Sequence, residues 1–267
     1  MGRPAANKLF VMFATFVLLG ALAACSRPAP DEEDDGGGGP PGGLNGGLYM
    51  HSGSDGDQGL FELNLEDGAA TKLGWGMIFQ TGTSNVGLAG RGPNEPLLGT
   101  NRHSLYSVPT SAAEPGVVAD PCGAVGLAYD TFNDHLYAAS SDAVRRIHPT
   151  SCAVLETVST GFEFGGLAID SANRTLYAIG GSDGNLYALD LASGAPYTWA
   201  AVLDTGVTGW VGAGLAFDAA NEVLYAVGHP TDRAGLYVID VAAGTTEHVG
   251  DTGLTVAYGG LAWREED

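Results

Sequence analysis

Beyond residue 46, apolar residues come in short bursts broken by Gly, Asp, Asn and Ser. Leu176-Tyr177-Ala178-Ile179 and Leu236-Tyr237-Val238-Ile239 are examples. Bursts this short, rich in aromatic and branched side chains and closed by turn formers, predict β-strands. No stretch carries a helical period.

The bursts recur in register. Gly-Leu-Ala appears at Gly87, Gly126, Gly166, Gly214 and Gly260, a spacing of 39 to 48 residues. Ten residues after each of the first four glycines stands a Leu: Leu97, Leu136, Leu176 and Leu224. A second pair follows, as in Leu105-Tyr106, Leu186-Tyr187 and Leu236-Tyr237, and then a turn such as Asp190-Leu-Ala-Ser-Gly194 or Asp240-Val-Ala-Ala-Gly244. Asp caps such a turn and Gly supplies its positive φ. A last short burst ends in Thr-Gly, at Thr160, Thr205 and Thr252. Each unit therefore holds four strands, A to D, and a fixed period of this length means one supersecondary unit repeated.

The two ends of the repeat region complement each other. Leu48-Tyr49 begins at strand B, and the final Gly260-Leu261-Ala262-Trp263 supplies strand A alone. Pairing them closes a ring and removes sheet edges that would invite aggregation. The expectation is an all-β chain: a five-bladed β-propeller closed by pairing of the C-terminal strand with the N-terminal blade. The domain spans 47–267, with blades at 260–263 plus 47–82, 87–124, 126–164, 166–212 and 214–258. The repeat, a Gly-Leu-Ala-aromatic-Asp strand before Leu-Tyr and Leu-Tyr-x-Ile-Asp segments, resembles bacterial extracytoplasmic propellers of the quinoprotein-like and YVTN-like kind. That resemblance implies a fold and no particular task, since such scaffolds host many.

Residues 1–46 read differently. Arg3 and Lys8 precede an apolar run, Leu9 to Leu22, that is short for a membrane span. The run ends in Leu22-Ala23-Ala24-Cys25, a signal-peptide layout. It also resembles the bacterial lipoprotein lipobox. The resemblance implies cleavage after residue 24 and a diacylglyceryl group on Cys25, so membrane lipid is the first expected partner. Ser26 in place of Asp resembles the outer-membrane sorting pattern of Gram-negative lipoproteins. The expected location is the bacterial cell envelope. Residues 25–46 then form a tether with an acidic block, Asp31 to Asp35, and a Gly/Pro stretch that cannot bury enough apolar surface to order itself. As a flexible coil the 21 residues after Cys25 span about 25 Å.

Charge narrows the partners. The chain carries 31 Asp and Glu against 11 Lys and Arg, a formal −20. Removing residues 1–24 takes out two cations and no anion, leaving −22. Such a surface repels phosphate backbones, so nucleic acid is not an expected partner. An envelope protein or a glycan is.

Candidate sites follow from strand polarity. D–A and B–C connections share one face of the ring, and A–B and C–D turns share the other. The first face carries Trp75, Phe79, Phe162, Phe164, Trp210 and Tyr258 with His103, Asp183, His229 and Asp232. Rings beside polar groups suit a sugar or peptide. The competing reading is that these rings seal the joints between blades. Four residues after each repeated glycine stand Arg91, Asp130, Asp170, Asp218 and Arg264, a possible paired ring at the channel mouth. The competing reading is turn capping, from Asp130-x-x-Asn133, Asp170-x-x-Asn173 and Asp218-x-x-Asn221. Asp55-Gly56-Asp57 resembles part of a calcium loop but lacks the distal Glu of an EF-hand, and no other cofactor is predicted.

Gly180-Gly181-Ser182-Asp183-Gly184 matches G-x-S-x-G, but it joins two predicted strands rather than a strand and a helix, so it is a hairpin tip. No catalytic residue is assigned. The main expectation is a tethered, non-catalytic binding or scaffold module. The alternative is a propeller enzyme of glycosidase, lyase or lactonase type, or an assembly component without a small ligand. Cys122 and Cys152 fall on opposite faces, roughly 17 Å apart for five-residue strands. A disulfide needs Cα atoms within about 7 Å. Export and an even count favour the bond, so the sequence leaves it open.

Overall fold

A computed structural model describes residues 46–52, 58–74, 87–101, 103–111, 115–140, 142–210, 214–229, 233–254 and 259–265. They hold strands and turns and no helix. The first sheet opens with β1 (Gly46–Ser52), β2 (Gly59–Leu63) and β3 (Ala70–Gly74). The second is β4 (Gly87–Ala89), β5 (Leu97–Thr100), β6 (Leu105–Val108) and β7 (Gly116–Ala119). The third is β8 (Gly126–Asp130), β9 (His135–Ala139), β10 (Ala143–Ile147) and β11 (Val154–Ser159). The fourth is β12 (Phe164–Asp170), β13 (Thr175–Gly180), β14 (Asn185–Asp190) and β15 (Ala200–Asp204). The fifth is β16 (Gly214–Asp218), β17 (Val223–Gly228), β18 (Gly235–Asp240) and β19 (Thr245–Asp251). The chain ends in β20 (Leu261–Glu265).

Each sheet is an antiparallel meander of four strands, and β20 completes the first in the order β20-β1-β2-β3. Leu48 sits opposite Trp263, Tyr49 opposite Ala262 and Met50 opposite Leu261. The His51 amide extends the ladder to the Gly260 carbonyl at 3.0 Å. The ring is thus closed through sheet hydrogen bonds.

Five buried apolar clusters occupy the five joints. Leu48, Met50 and Leu261 pack on Tyr225, Val227 and Leu236 between the fifth and first blades. Phe164, Leu167 and Leu176 pack on Tyr137 and Val144 between the third and fourth. At Gly87, Gly214 and Gly260 the missing side chain lets the inner strands approach closely, whereas a Cβ on Gly126 would meet only ordinary contacts from 3.5 Å. A Cβ on Gly87 would lie 2.8 Å from the Gly126 carbonyl carbon, and one on Gly214 would lie 2.7 Å from the Leu261 nitrogen. Only a residue without a side chain fits there.

Turn chemistry follows the repeat. Asp170 Oδ1 accepts from the Asn173 amide at 3.0 Å, and Asp218 Oδ1 from the Ala220 amide at 3.0 Å. The Thr of Thr-Gly pins the outer strand: Thr205 Oγ1 donates to the Gly184 carbonyl at 2.6 Å and Thr252 Oγ1 to the Ala234 carbonyl at 3.0 Å.

Cys122 and Cys152 form a disulfide, with Cα atoms 5.6 Å apart. The two-face separation of about 17 Å does not hold for this pair. It treats a blade as flat. Adjacent strands rotate by about 20–25°, so three pairings turn the outer strand some 60–75° from the inner one. This twist accounts for the C–D hairpin of the third blade leaning over the joint with the second, where both cysteines join the apolar cluster around Leu105 and Leu136. Cys152 takes the left-handed turn position (φ 55°) that Gly194 and Gly244 hold in later blades.

Candidate site at the mouth of the central channel

Strand A runs from its glycine at the D–A end to its acidic residue at the A–B end. Successive side chains point to opposite sheet faces. The residue three after the glycine therefore points away from the one four after it. Asp130, Asp170 and Asp218 are buried, whereas Tyr129, Ile169, Phe217 and Trp263 remain half-exposed around the axis. These four, with Gly90 in the fifth place, form the wall of a funnel of about 250 Å³. Thr131, Asp170, Ser171 and Glu265 lie on the same wall.

Two of the rings lean on strand B of the preceding blade. Phe217 stacks on Tyr177 with centroids 6.1 Å apart, and Trp263 on Tyr225 at 5.6 Å. Gly90 stands where a side chain would strike the Trp263 carbonyl, so one fifth of the wall is backbone. Behind the funnel the channel narrows to about 60 Å³ between the Leu-Ala pairs of the inner strands. At the D–A end, Gly126, Gly166, Gly214 and Gly260 with Leu88, Leu127, Leu167, Leu215 and Leu261 leave no water-sized space.

Of the two readings of this register, the ring of paired charges is not what the described residues form. Arg91 Nε pairs with Glu95 at 3.2 Å, and its guanidinium lies over the Tyr129 ring at 5.4 Å. Arg264 donates to Thr110 Oγ1. Asp130 binds Arg174, from the next blade, and the Asn133 amide group at 3.2 Å. Asp170 and Asp218 accept from Asn173 and Asn221, each at 2.7 Å. The aspartates are turn caps because alternation buries them in the joints. Burial, then its bond to Asp134, raises the Tyr129 hydroxyl above its ordinary pKa. The phenol thus stays a neutral donor.

The opposite face divides. Trp210 is 0 % exposed, donating from Nε1 to Thr205 Oγ1 at 3.1 Å. Phe164 is also buried, in the joint between the third and fourth blades. Neither is a ligand surface, because each fills a seam that polar strand backbones cannot fill. Phe162 is half-buried, stacked on Tyr187 at 3.9 Å and edge-on to Trp199 at 5.7 Å. Asp183 is exposed and accepts from the Tyr187 hydroxyl and the Asn185 amide. Burial opposes its ionisation, but these donors outweigh it and hold its pKa below the usual carboxylate value. His103 is an exposed turn residue whose amide donates to Asn101 Oδ1 at 2.8 Å. His229 is half-buried at the end of β17, and burial lowers its pKa. Trp75, Phe79, Asp232 and Tyr258 lie outside the described residues, as do Asp55, Asp57 and Cys25. Among the described residues, no group of three or more His, Cys, Asp or Glu is placed to hold a metal ion.

Sequence reading missed Tyr129, Phe217 and Trp263 as a set. The signal was present: three of five repeats place an aromatic residue at one register.

No family model and no curated protein sequence matches the chain. Among solved structures, a chain of a nidogen/laminin complex superposes with a TM-score of 0.54 at 16% identity, covering 82% of this chain and 97% of that one. Hydrazine synthase of Kuenenia stuttgartiensis superposes at 0.44 and 16% identity, over 66% of this chain and 52% of its own. The likeness to the first is one of fold: this chain is a β-propeller.

Proposed function

We propose that the chain is a tethered, extracytoplasmic binding module, lipid-anchored at Cys25 in a bacterial envelope, whose propeller takes its ligand at the A–B mouth. The observation that carries the reading is the asymmetry of the channel. One end is plugged by glycine and leucine, and the other opens to a funnel with half-exposed rings and polar groups on its wall. That is the composition of a small-molecule site: apolar walls with a few polar groups to fix orientation. A volume of about 250 Å³ lies under the ~300–1,000 Å³ of pockets for larger ligands, so the occupant is small or is one group of a larger partner. A propeller of similar fold stands in a nidogen/laminin complex, which supports use of this scaffold in partner binding.

The anchor reading rests on Leu22-Ala23-Ala24-Cys25. Gly46, the first described residue, pairs with Glu265 of the funnel wall. In a Gram-negative host the sorting pattern favours the outer membrane.

Two measurements test the proposal. Cells expressing the full chain are fed a labelled palmitate analogue; label lost in Cys25→Ala supports the anchor, and label retained sinks it. A glycan and metabolite thermal-shift screen then compares wild type with Phe217→Leu and Asp183→Asn, since a ligand of the native state raises apparent stability. Hits lost in the first variant support the mouth. Hits lost only in the second move the site to the opposite face.

A further inference from the structure

The chemistry of the funnel wall narrows the occupant. The twelve lining residues include two carboxylates, Asp170 and Glu265, and no Lys, Arg or His. Asp170 is spent on Asn173, with bonds at 3.0 and 2.7 Å. Glu265 is exposed, and no protein cation pairs with it among the described residues. The wall is therefore negative and rich in π-faces. It lacks the array of charged and amide donors that would hold an anion.

The same end already gathers cations onto rings. Arg91 lies over Tyr129 at 5.4 Å, and Arg174 over Phe132 at 5.3 Å. Each guanidinium is balanced by a carboxylate, Glu95 or Asp130. Phe217 and Trp263 line the funnel and carry no such cation among the described residues. Rings beside a carboxylate that no ion pair engages among the described residues, in a cavity partly withdrawn from water, attract an organic cation through the ring quadrupole and through charge. The protein's formal −20 adds a long-range field of the same sign.

We infer that the funnel binds a small alkylammonium group, free or borne by a larger partner, with Phe217 and Trp263 as its aromatic walls and Glu265 as its counter-charge. The inference rests on the mouth being the binding site. An inorganic cation is a poorer fit, because the one unspent carboxylate cannot replace a hydration shell and rings cannot complete one. A sugar is a poorer fit too, because it presents many hydroxyls and the wall offers few groups to meet them.

The test is calorimetric titration of the mature full-length chain at low salt with choline, with tetramethylammonium and with 3,3-dimethyl-1-butanol, the neutral isostere of choline. The expected result is saturable binding of both cations, with choline at least about ten-fold tighter than its isostere. Added salt weakens both cations and leaves the isostere unchanged. Glu265→Gln, an exposed change that leaves the core alone, weakens choline about three-fold or more. Phe217→Leu does the same, and Glu163→Gln at the plugged end does not. Equal affinity for choline and its isostere, with both lost in Phe217→Leu, overturns the cation inference and leaves the mouth as a site. Choline binding that survives both mouth variants places the cation elsewhere and overturns it. So does no heat with any probe; hits from the metabolite screen that Phe217→Leu abolishes would then still support the mouth.

Discussion

The two ends of the channel are built from the same five strands and do opposite things. At the D–A end the repeated glycine and the leucine after it bring neighbouring backbones together and exclude water. At the A–B end, three residues along, the repeat changes from invariant to varied: Gly90, Tyr129, Ile169, Phe217 and Trp263. The sealed end is where geometry dictates residue type, since a Cβ at Gly87 has nowhere to go. The open end is where residue type is free to answer a ligand. Uniform positions in a repeat hold the ring together, and the varied positions at one register form the wall on which the proposed site rests.

Breaking the sealed end carries the largest effect. Gly87→Val forces a side chain into the next blade's backbone, and a loss of about 3–5 kcal/mol is expected. Urea unfolding at neutral pH measures it, and a loss under 1 kcal/mol would show the ends to be alike. Next is the bond that ties the second joint to the third blade's outer hairpin. A crosslink across 30 residues contributes roughly 3–4 kcal/mol by loop closure. Cys122→Ser with Cys152→Ser should therefore lower the melting temperature by about 10 °C. Choline affinity at the mouth should change little, because Phe217, Trp263 and Glu265 lie in other blades from the bond.

Acid sharpens the comparison in another way. His51, buried in β1, has its pKa lowered to about 3 by desolvation. The fold holds it neutral, while the unfolded chain takes up a proton near pH 6.5. Between those values the unfolded state binds more protons, so stability rises with pH, and acidification from pH 7 towards 3 erodes it. The slope from this one group is at most about 1.4 kcal/mol per pH unit. His229 and His135, also lowered by burial, add in the same direction. Denaturation at pH 7 and pH 5 should differ by about 1–2 kcal/mol, and His51→Gln should flatten that difference. Phe217→Leu has the smallest effect on folding. It trades one half-exposed apolar side chain for another, so its cost should stay near or below about 1.5 kcal/mol by the same urea assay. Its consequence belongs in binding.

The blades, their order and their closure were legible because they are local. Strand length, Asp-capped turns and the recurring glycine are decided within about ten residues, and the strand of Leu48 could be matched to the strand of Leu261 by counting units. The site was less legible. Asp130, Asp170 and Asp218 draw the eye as charged and repeated, yet alternation turns them into the joints and brings their uncharged neighbours to the mouth. Trp210 could be read from sequence as a ligand surface or as a seal between blades, and it is a fully buried seam. The cysteines were placed on opposite faces by a flat-sheet argument that strand twist defeats.

By itself, then, the sequence determined the repeat, the strand count per blade, the turn chemistry and the acidic balance, all properties of short segments or of composition. Tertiary structure alone decided which side of strand A meets the axis, which end of the channel stays open, and that Cys122 reaches Cys152. Those outcomes depend on accumulated twist and on the packing of one blade against the next, and no single segment contains that information.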